Sequence, residues 1–394
     1  MPFTIRSWDA MVARTSLTII IGVCTALFAD KPVEKRTKGK TGMTAHTGLN
    51  TQAEPQINWR DARELTVEGL GWSDTAFPYH RFPSRAKETL PEPVWNMGCQ
   101  PAGVSVRFVT DGTGISARWR ITEKPKLMSS MTMQAAAGLD CYGRLADGGW
   151  AWVGSVSPGD QLETTAGFAD GLDGTRREYR VYLPACTELP ELHIGVKGAK
   201  IFEPGRPDTR KPVVYYGTSV VHGVTASRSG MSHASILQRR FDCPLVNLGI
   251  SGSGRMDKPV ADLMAELDAA LYIVDCLPNM GQDQVRERLP VLVDVIRKKR
   301  PVTPILFVGD RMMGGAAFVP VKVQYKNDQD RVQKETVDSL TAKGVAGLYT
   351  TASESFFGAD HEGSTDGSHP SDLGAMRMAD ALEPVIRRLA GIGK

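Results

Sequence analysis

Several residues of this chain have types and spacings that could carry out acyl transfer together. Ser219 follows an apolar run in KPVVYYGTSVVHG at 211 to 223, where Gly217 allows a sharp turn. A hydroxyl at the carboxyl end of such a strand is a candidate nucleophile. A glycine-rich turn containing Gly252 follows a second run in NLGISGSGR at 247 to 255, and Asn279 follows a third in DCLPNM at 275 to 280. Asp366 and His369 stand three apart in DGSHP, just before the last helical segment. Acyl transfer needs a nucleophile, a base to take its proton, an acid to orient that base, and donors for the oxyanion. Every role has a candidate. Each also has a plain structural reading. Asp366 and His369 could cap the final helix with Pro370, Asn279 could be a loop amide, and Gly252 and Gly254 could be turn glycines. Their joint occurrence at strand ends favours the catalytic reading.

The elements that must position them follow from pattern. After Pro204-Gly205-Arg206-Pro207, apolar runs at 213 to 216, 244 to 250, 271 to 276 and 304 to 310 alternate with helical segments. Those segments are 233 to 241, 260 to 268, 285 to 300, 328 to 344 and 373 to 390. This grammar predicts an α/β domain, a three-layer doubly wound parallel sheet covered on both faces. From about 57 to 201 the pattern differs. Short alternating segments at 104 to 110, 115 to 121, 150 to 156, 179 to 184 and 191 to 196 are separated by turns such as Asp111-Gly112, Asp147-Gly148 and Asp173-Gly174. They predict an antiparallel β-sandwich of the jelly-roll kind. The expected domains are 57 to 203 and 204 to 394, with the boundary in the stretch 201 to 212.

The ordered blocks resemble the SGNH/GDSL hydrolase superfamily, whose fold is flavodoxin-like. Ser219 in GTS, Gly252 in NLGISGSG, Asn279 in PNM, and Asp366 with His369 in D-x-x-H match its blocks in order. YGTSVVHGVTASRSGMS followed by NLGISGSGRM is similar to a subgroup of esterases that carries an N-terminal β-sandwich, and GLDCY at 138 to 142 resembles that subgroup's G-x-D-L-Y signature. The chain departs from the general pattern at Thr218, where the family has aspartate, and at PNM, where it has G-x-N-D. The resemblance implies Ser219, His369 and Asp366 as the catalytic triad. It implies an oxyanion hole made by the backbone N–H groups of Ser219 and Gly252 and the side-chain amide of Asn279. His222 takes a position where the subgroup often has a polar amide and is expected to touch substrate. Arg255, beside Gly252, is expected to be a surface charge or a further substrate contact. The activity implied is hydrolysis of small acyl esters such as O-acetyl on carbohydrate. A lipase or thioesterase and a non-catalytic glycan-binding protein are the competing readings.

Composition bounds the rest. With 394 residues, 41% hydrophobic and 23% charged, the chain suits two globular domains. A formal charge of +3 from interspersed acids and bases gives no field for nucleic acid. Residues 1 to 29 read as a signal peptide, with Arg6 and Arg14 before an uncharged run at 15 to 29, so a secreted or periplasmic location is expected, or an uncleaved membrane anchor. Residues 30 to 56, rich in Lys, Thr and Gly, read as a disordered linker. Beyond the signal lie Cys99, Cys141, Cys186, Cys243 and Cys276, an odd set without metal spacing; one bridge within 99 to 186 and free buried thiols are both open. No metal or nucleotide cofactor is expected. His233 and the methionines at 128, 131 and 133 read as structural, and Trp72, Trp95, Trp150 and Trp152 as core residues or sugar-stacking platforms.

Overall fold

The structure, a computed structural model, describes residues 56 to 393. The expected signal peptide and nearly all of the expected linker lie outside the described residues. The chain then runs through β1 (Ile57–Asp61), β2 (Thr66–Glu68), α1 (Glu92–Gly98), β3 (Ser105–Thr110), β4 (Gly114–Arg120), α2 (Met133–Ala137) and β5 (Leu139–Arg144). Next come β6 (Trp150–Val156), β7 (Glu163–Asp170), β8 (Arg177–Tyr182), β9 (Glu191–Lys197) and β10 (Phe202–Pro204). These strands pair antiparallel in two sheets, β1-β9-β4-β7 and β10-β3-β8-β5-β6, with β2 on β3. Alternate residues point inward, as period-two patterning requires. Ile115, Ala117 and Trp119 of β4 meet Val106 and Phe108 of β3 and Ile194 and Val196 of β9 in one core.

The second half supplies β11 (Val213–Gly217), α3 (Ser219–His222), α4 (His233–Phe241), β12 (Leu245–Gly249), α5 (Lys258–Glu266), β13 (Leu271–Asp275) and α6 (Gln282–Lys299). It ends with β14 (Ile305–Val308), α7 (Pro320–Ala342), β15 (Leu348–Thr351) and α8 (Asp372–Ala390). The strands form one parallel sheet in the order β12-β11-β13-β14-β15. Helices cover both faces, so β11 is buried throughout: Val214 and Tyr216 enter one core cluster, Val213 and Tyr215 the other. The expected three-layer α/β sheet preceded by an antiparallel sandwich is the observed architecture.

Packing does not respect the expected boundary near 204, however. The segment between β2 and β3 leaves the sandwich, and its Phe82, Ala86, Leu90, Val94 and Trp95 join the core cluster of the parallel sheet with Val246, Met264 and Leu267. The connection from β2 to β3 is thus the cover of one face of the other domain. All five described cysteines are free, which settles the open bridge between 99 and 186 in favour of thiols.

Candidate active site

The site forms where three adjacent strands end level. Gly217 pairs with Gly249 on one side and Asp275 on the other. A Cβ on Gly217 would lie 2.4 Å from Val221 and 2.7 Å from the Asp275 carbonyl, so only glycine lets the chain turn there. Thr218, in extended conformation, accepts a hydrogen bond from the Val220 N–H and caps α3. Threonine therefore supplies the capping oxygen that the family's aspartate would bring. Ser219 opens this short helix, which Gly223 ends in left-handed conformation at φ 86°.

The turn before α8 brings His369, the expected base, to Ser219. Ser219 Oγ lies 2.8 Å from His369 Nε2, and His369 Nδ1 lies 2.9 Å from Asp366 Oδ2. Asp366 Oδ1 accepts the backbone N–H groups of Ser368 at 3.0 Å and His369 at 2.8 Å. The Ser130 hydroxyl donates to Oδ2 at 2.9 Å. Burial opposes ionisation of this carboxyl, but these donors outweigh it and bring its pKa down to about 2. A fixed carboxylate on Nδ1 leaves Nε2 free to accept the serine proton.

The expected oxyanion donors stand at the neighbouring strand ends. The N–H groups of Ser219 and Gly252 have no hydrogen-bond acceptor among the described residues. Gly252 has φ 70° and open space beside it. The Asn279 amide oxygen is buried without a partner, while its Nδ2 neither bonds nor belongs to the buried atoms, so the donor end is the accessible one. The glycine-rich turn is pressed onto the nucleophile turn. The Ile250 N–H donates to the Gly217 carbonyl at 2.8 Å, and a Cβ on Gly254 would sit 2.1 Å from that same oxygen. Beneath it, Arg81 is 1% exposed and donates to the carbonyls of Asn247 at 3.0 Å and Gly249 at 2.8 Å.

Other expectations fare differently. His222 does not line an open site: it is 1% exposed, and its Nε2 donates to the Ala185 carbonyl of the sandwich. Burial and the nearby Arg81 charge push its pKa down to about 3, so it stays neutral. Its position on the inner face of α3 explains the difference from the expected substrate contact. The Arg255 side chain is exposed, and only its backbone bonds, to the Tyr216 hydroxyl and to Arg288. His233 is buried against the Tyr215 hydroxyl at 3.0 Å, a structural role as expected. Of the four tryptophans singled out, Trp152 is the exposed one, and its indole N–H bonds Asp140.

A cleft of about 540 Å³ is lined by Val224, whose N–H donates to the Ser219 carbonyl, and by Ser251, next to Gly252, with Met97, Gln100, Lys126 and Met131 among its other walls. Cys99 and Glu188 also line it, and with His80 they bring one ligand-type atom each within 4.8 Å of the others. His80 Nε2 is 2.5 Å from Glu188, but its Nδ1 is buried without a partner. A metal-bound imidazole almost always donates its second N–H, and burial lowers the pKa of His80, so this contact reads as a hydrogen bond from a neutral imidazole to Glu188. Sequence reasoning did not find Arg81, Ser130 or the cleft. Ser130 and Asp366 are 236 positions apart, and no local spacing announces such a contact.

Comparison with known proteins decides the family. The sequence pattern of the GDSL-like lipase/acylhydrolase family matches residues 210 to 387, and that of the GxDLY N-terminus of SGNH-hydrolase-type esterases matches residues 57 to 202. A chain from Bacteroides ovatus ATCC 8483, described as a GDSL-like lipase, is 32% identical, with TM-score 0.81 over 86% of this chain and 99% of that one. The chain belongs to the GDSL-like lipase/acylhydrolase family. It is thereby a carboxylic ester hydrolase of the SGNH type. Two further structures share the two-domain fold of this acylhydrolase. They are the salicylyl-acyltransferase SsfX3 from a tetracycline biosynthetic pathway, 19% identical with TM-score 0.67 over 84% of this chain and 97% of that one, and a family two carbohydrate esterase from Cellvibrio japonicus, 12% identical with TM-score 0.56 over 85% and 98%. Among curated proteins none matches.

Proposed function

We propose that the chain is an exported serine esterase that removes small acyl groups, O-acetyl foremost, from carbohydrate. The observation that carries the catalytic part is the unbroken relay from Ser219 Oγ to His369 at 2.8 Å and on to Asp366 at 2.9 Å. In this reading His369 takes the Ser219 proton as the oxygen attacks the ester carbonyl. The tetrahedral oxyanion is held by the N–H groups of Ser219 and Gly252 and by Asn279 Nδ2. His369 then returns the proton to the leaving alcohol, and water, activated by the same imidazole, releases the acid. Polar groups on the cleft, among them Asn96, Gln100 and Lys126, support a hydroxylated leaving group. The fold shared with the Cellvibrio carbohydrate esterase is consistent with that substrate class. Export rests on the charged-then-apolar leader at 1 to 29.

A second reading has its own support. Met97, Met128, Met131 and Val224 give the same cleft an apolar side that suits a longer or aromatic acyl group, as a lipase or thioesterase would need. Turnover of p-nitrophenyl acetate against longer acyl chains, and then of acetylated glycans, separates the two. Ser219→Ala is the control: it should abolish turnover without unfolding the protein, and full activity in that variant would sink the assignment.

A further inference from the structure

We infer that Ser130, carried by the sandwich domain, is a positioning residue for the catalytic acid, so that the relay is completed across the domain boundary. The inference rests on the triad reading above and extends it to a residue outside the hydrolase domain.

The Asp366 carboxylate receives its donors from two sources. The Ser368 and His369 backbone N–H groups fill Oδ1, and the His369 ring and the Ser130 hydroxyl share Oδ2. A carboxylate offers about four acceptor sites, so Ser130 takes the last of them. The three donors of its own turn hold the carboxylate. Ser130 adds a fourth donor, from a distant segment of the chain, and so further restricts rotation about the Cβ–Cγ bond. The carboxyl side chain is 30% exposed, and without the serine a mobile water would take that place and loosen the carboxylate.

Ser130 is itself fixed. Two residues on, Thr132 caps α2 by accepting the Ala135 N–H at 3.1 Å and donates to the Ser227 carbonyl at 2.8 Å. Ser227 lies in the loop after α3, and its N–H donates to Asp372 at the start of α8 at 2.9 Å. The segment 130 to 132 therefore bridges the loop behind the nucleophile and the turn that carries the base. A surface serine meeting an acid by chance would lack this second tether.

The experiment compares the full chain with Ser130→Ala and Ser130→Thr, using p-nitrophenyl acetate turnover, fluorophosphonate labelling of Ser219, thermal unfolding, and the far-downfield proton resonance of the His369 Nδ1–H. Ser130→Ala should lower kcat about tenfold, with KM and the unfolding midpoint unchanged. It should slow labelling in proportion and shift or broaden the downfield resonance. Ser130→Thr, which keeps the hydroxyl, should restore all three. Unchanged kcat, labelling and resonance in Ser130→Ala overturn the inference, as does a rise in KM alone, which would make the residue only a wall of the substrate path. Should the parent protein neither turn over ester nor label at Ser219, the esterase reading fails instead. The resonance then still reports whether Ser130 orders the His369–Asp366 pair.

Discussion

Gly254→Ala tests whether one loop holds the oxyanion site against the nucleophile turn. The added methyl would stand 2.1 Å from the Gly217 carbonyl oxygen, 2.5 Å from its carbon and 3.0 Å from the Thr218 nitrogen. Ordinary contact begins at 3.4 Å, so the loop must retreat by 3.4 − 2.1 = 1.3 Å. All three atoms are backbone, and no rotamer can relieve the clash. Retreat stretches the 2.8 Å bond from Ile250 N–H to the Gly217 carbonyl and carries the Gly252 N–H away from the oxyanion position two residues earlier. Overpacking of this kind costs about 1 to 3 kcal/mol in stability. The loss of one oxyanion donor lowers kcat about 10²- to 10³-fold. The two effects should separate: a protein still folded at assay temperature, binding ester with near-normal KM, yet turning over at a hundredth of the parent rate or less. Parallel thermal unfolding and steady-state kinetics on p-nitrophenyl acetate read both. Parent-like kcat in Gly254→Ala would refute the reasoning, because the loop would then have moved without affecting the site or not have needed to move.

Two further substitutions probe the supports. Arg81→Lys keeps the charge but loses the planar fork that reaches four carbonyls, those of Met97, Gln100, Asn247 and Gly249. It should cost about 3 kcal/mol in urea unfolding, and a change below about 0.5 kcal/mol would contradict the clamp. His222→Gln addresses pH. With its pKa held near 3 in the fold, against 6.5 for an ordinary histidine, His222 takes up a proton only on unfolding between those values. Its contribution to stability is present above pH 6.5 and is lost as pH falls toward 3, at up to about 1.4 kcal/mol per pH unit. Asp310, raised to about 6 by burial, acts in the opposite direction. The quantity to measure is therefore the difference between parent and variant in urea midpoint against pH, which should shrink the acid loss by about one proton. Parallel curves would show that His222 is not buried neutral.

Much of the site was legible because its residues announce themselves locally. Gly217 and Ser219 end an apolar run, Gly252 sits in a turn after the next, and Asp366 reaches His369 within one turn of chain. Elements obeying a single period were equally plain, such as β4 and β11. Weaker signals were lost. The helix expected from 328 begins at Pro320, because Val321, Val323 and Tyr325 favour strands while proline suits a helix's first turn. The strand β15, only Leu348–Thr351 and half exposed at the sheet edge, has no apolar run to mark it. His222 was misplaced because it stands in sequence beside the proposed nucleophile, whereas its side chain bonds the Ala185 carbonyl of the sandwich.

The residues missed altogether share a cause: their roles lie in contacts between distant segments. Arg81 meets the end of β12 from 166 and 168 positions away, and Ser130 meets Asp366 from 236. These contacts also bear on why the sandwich accompanies the hydrolase fold. Its β2–β3 connection covers a sheet face with Phe82, Leu90 and Val94, and holds the strand end before the expected oxyanion turn through Arg81. Its buried Asp140 accepts the Gly230 N–H at 3.0 Å in the loop beyond the nucleophile helix. A module appended for binding alone would need none of these, since it could pack through an ordinary surface. Support beneath the oxyanion turn, behind the nucleophile helix and against the catalytic acid is what preorganised catalysis requires. On the proposed mechanism the sandwich is thus part of the scaffold that fixes the reacting groups, whatever it also contributes to the cleft.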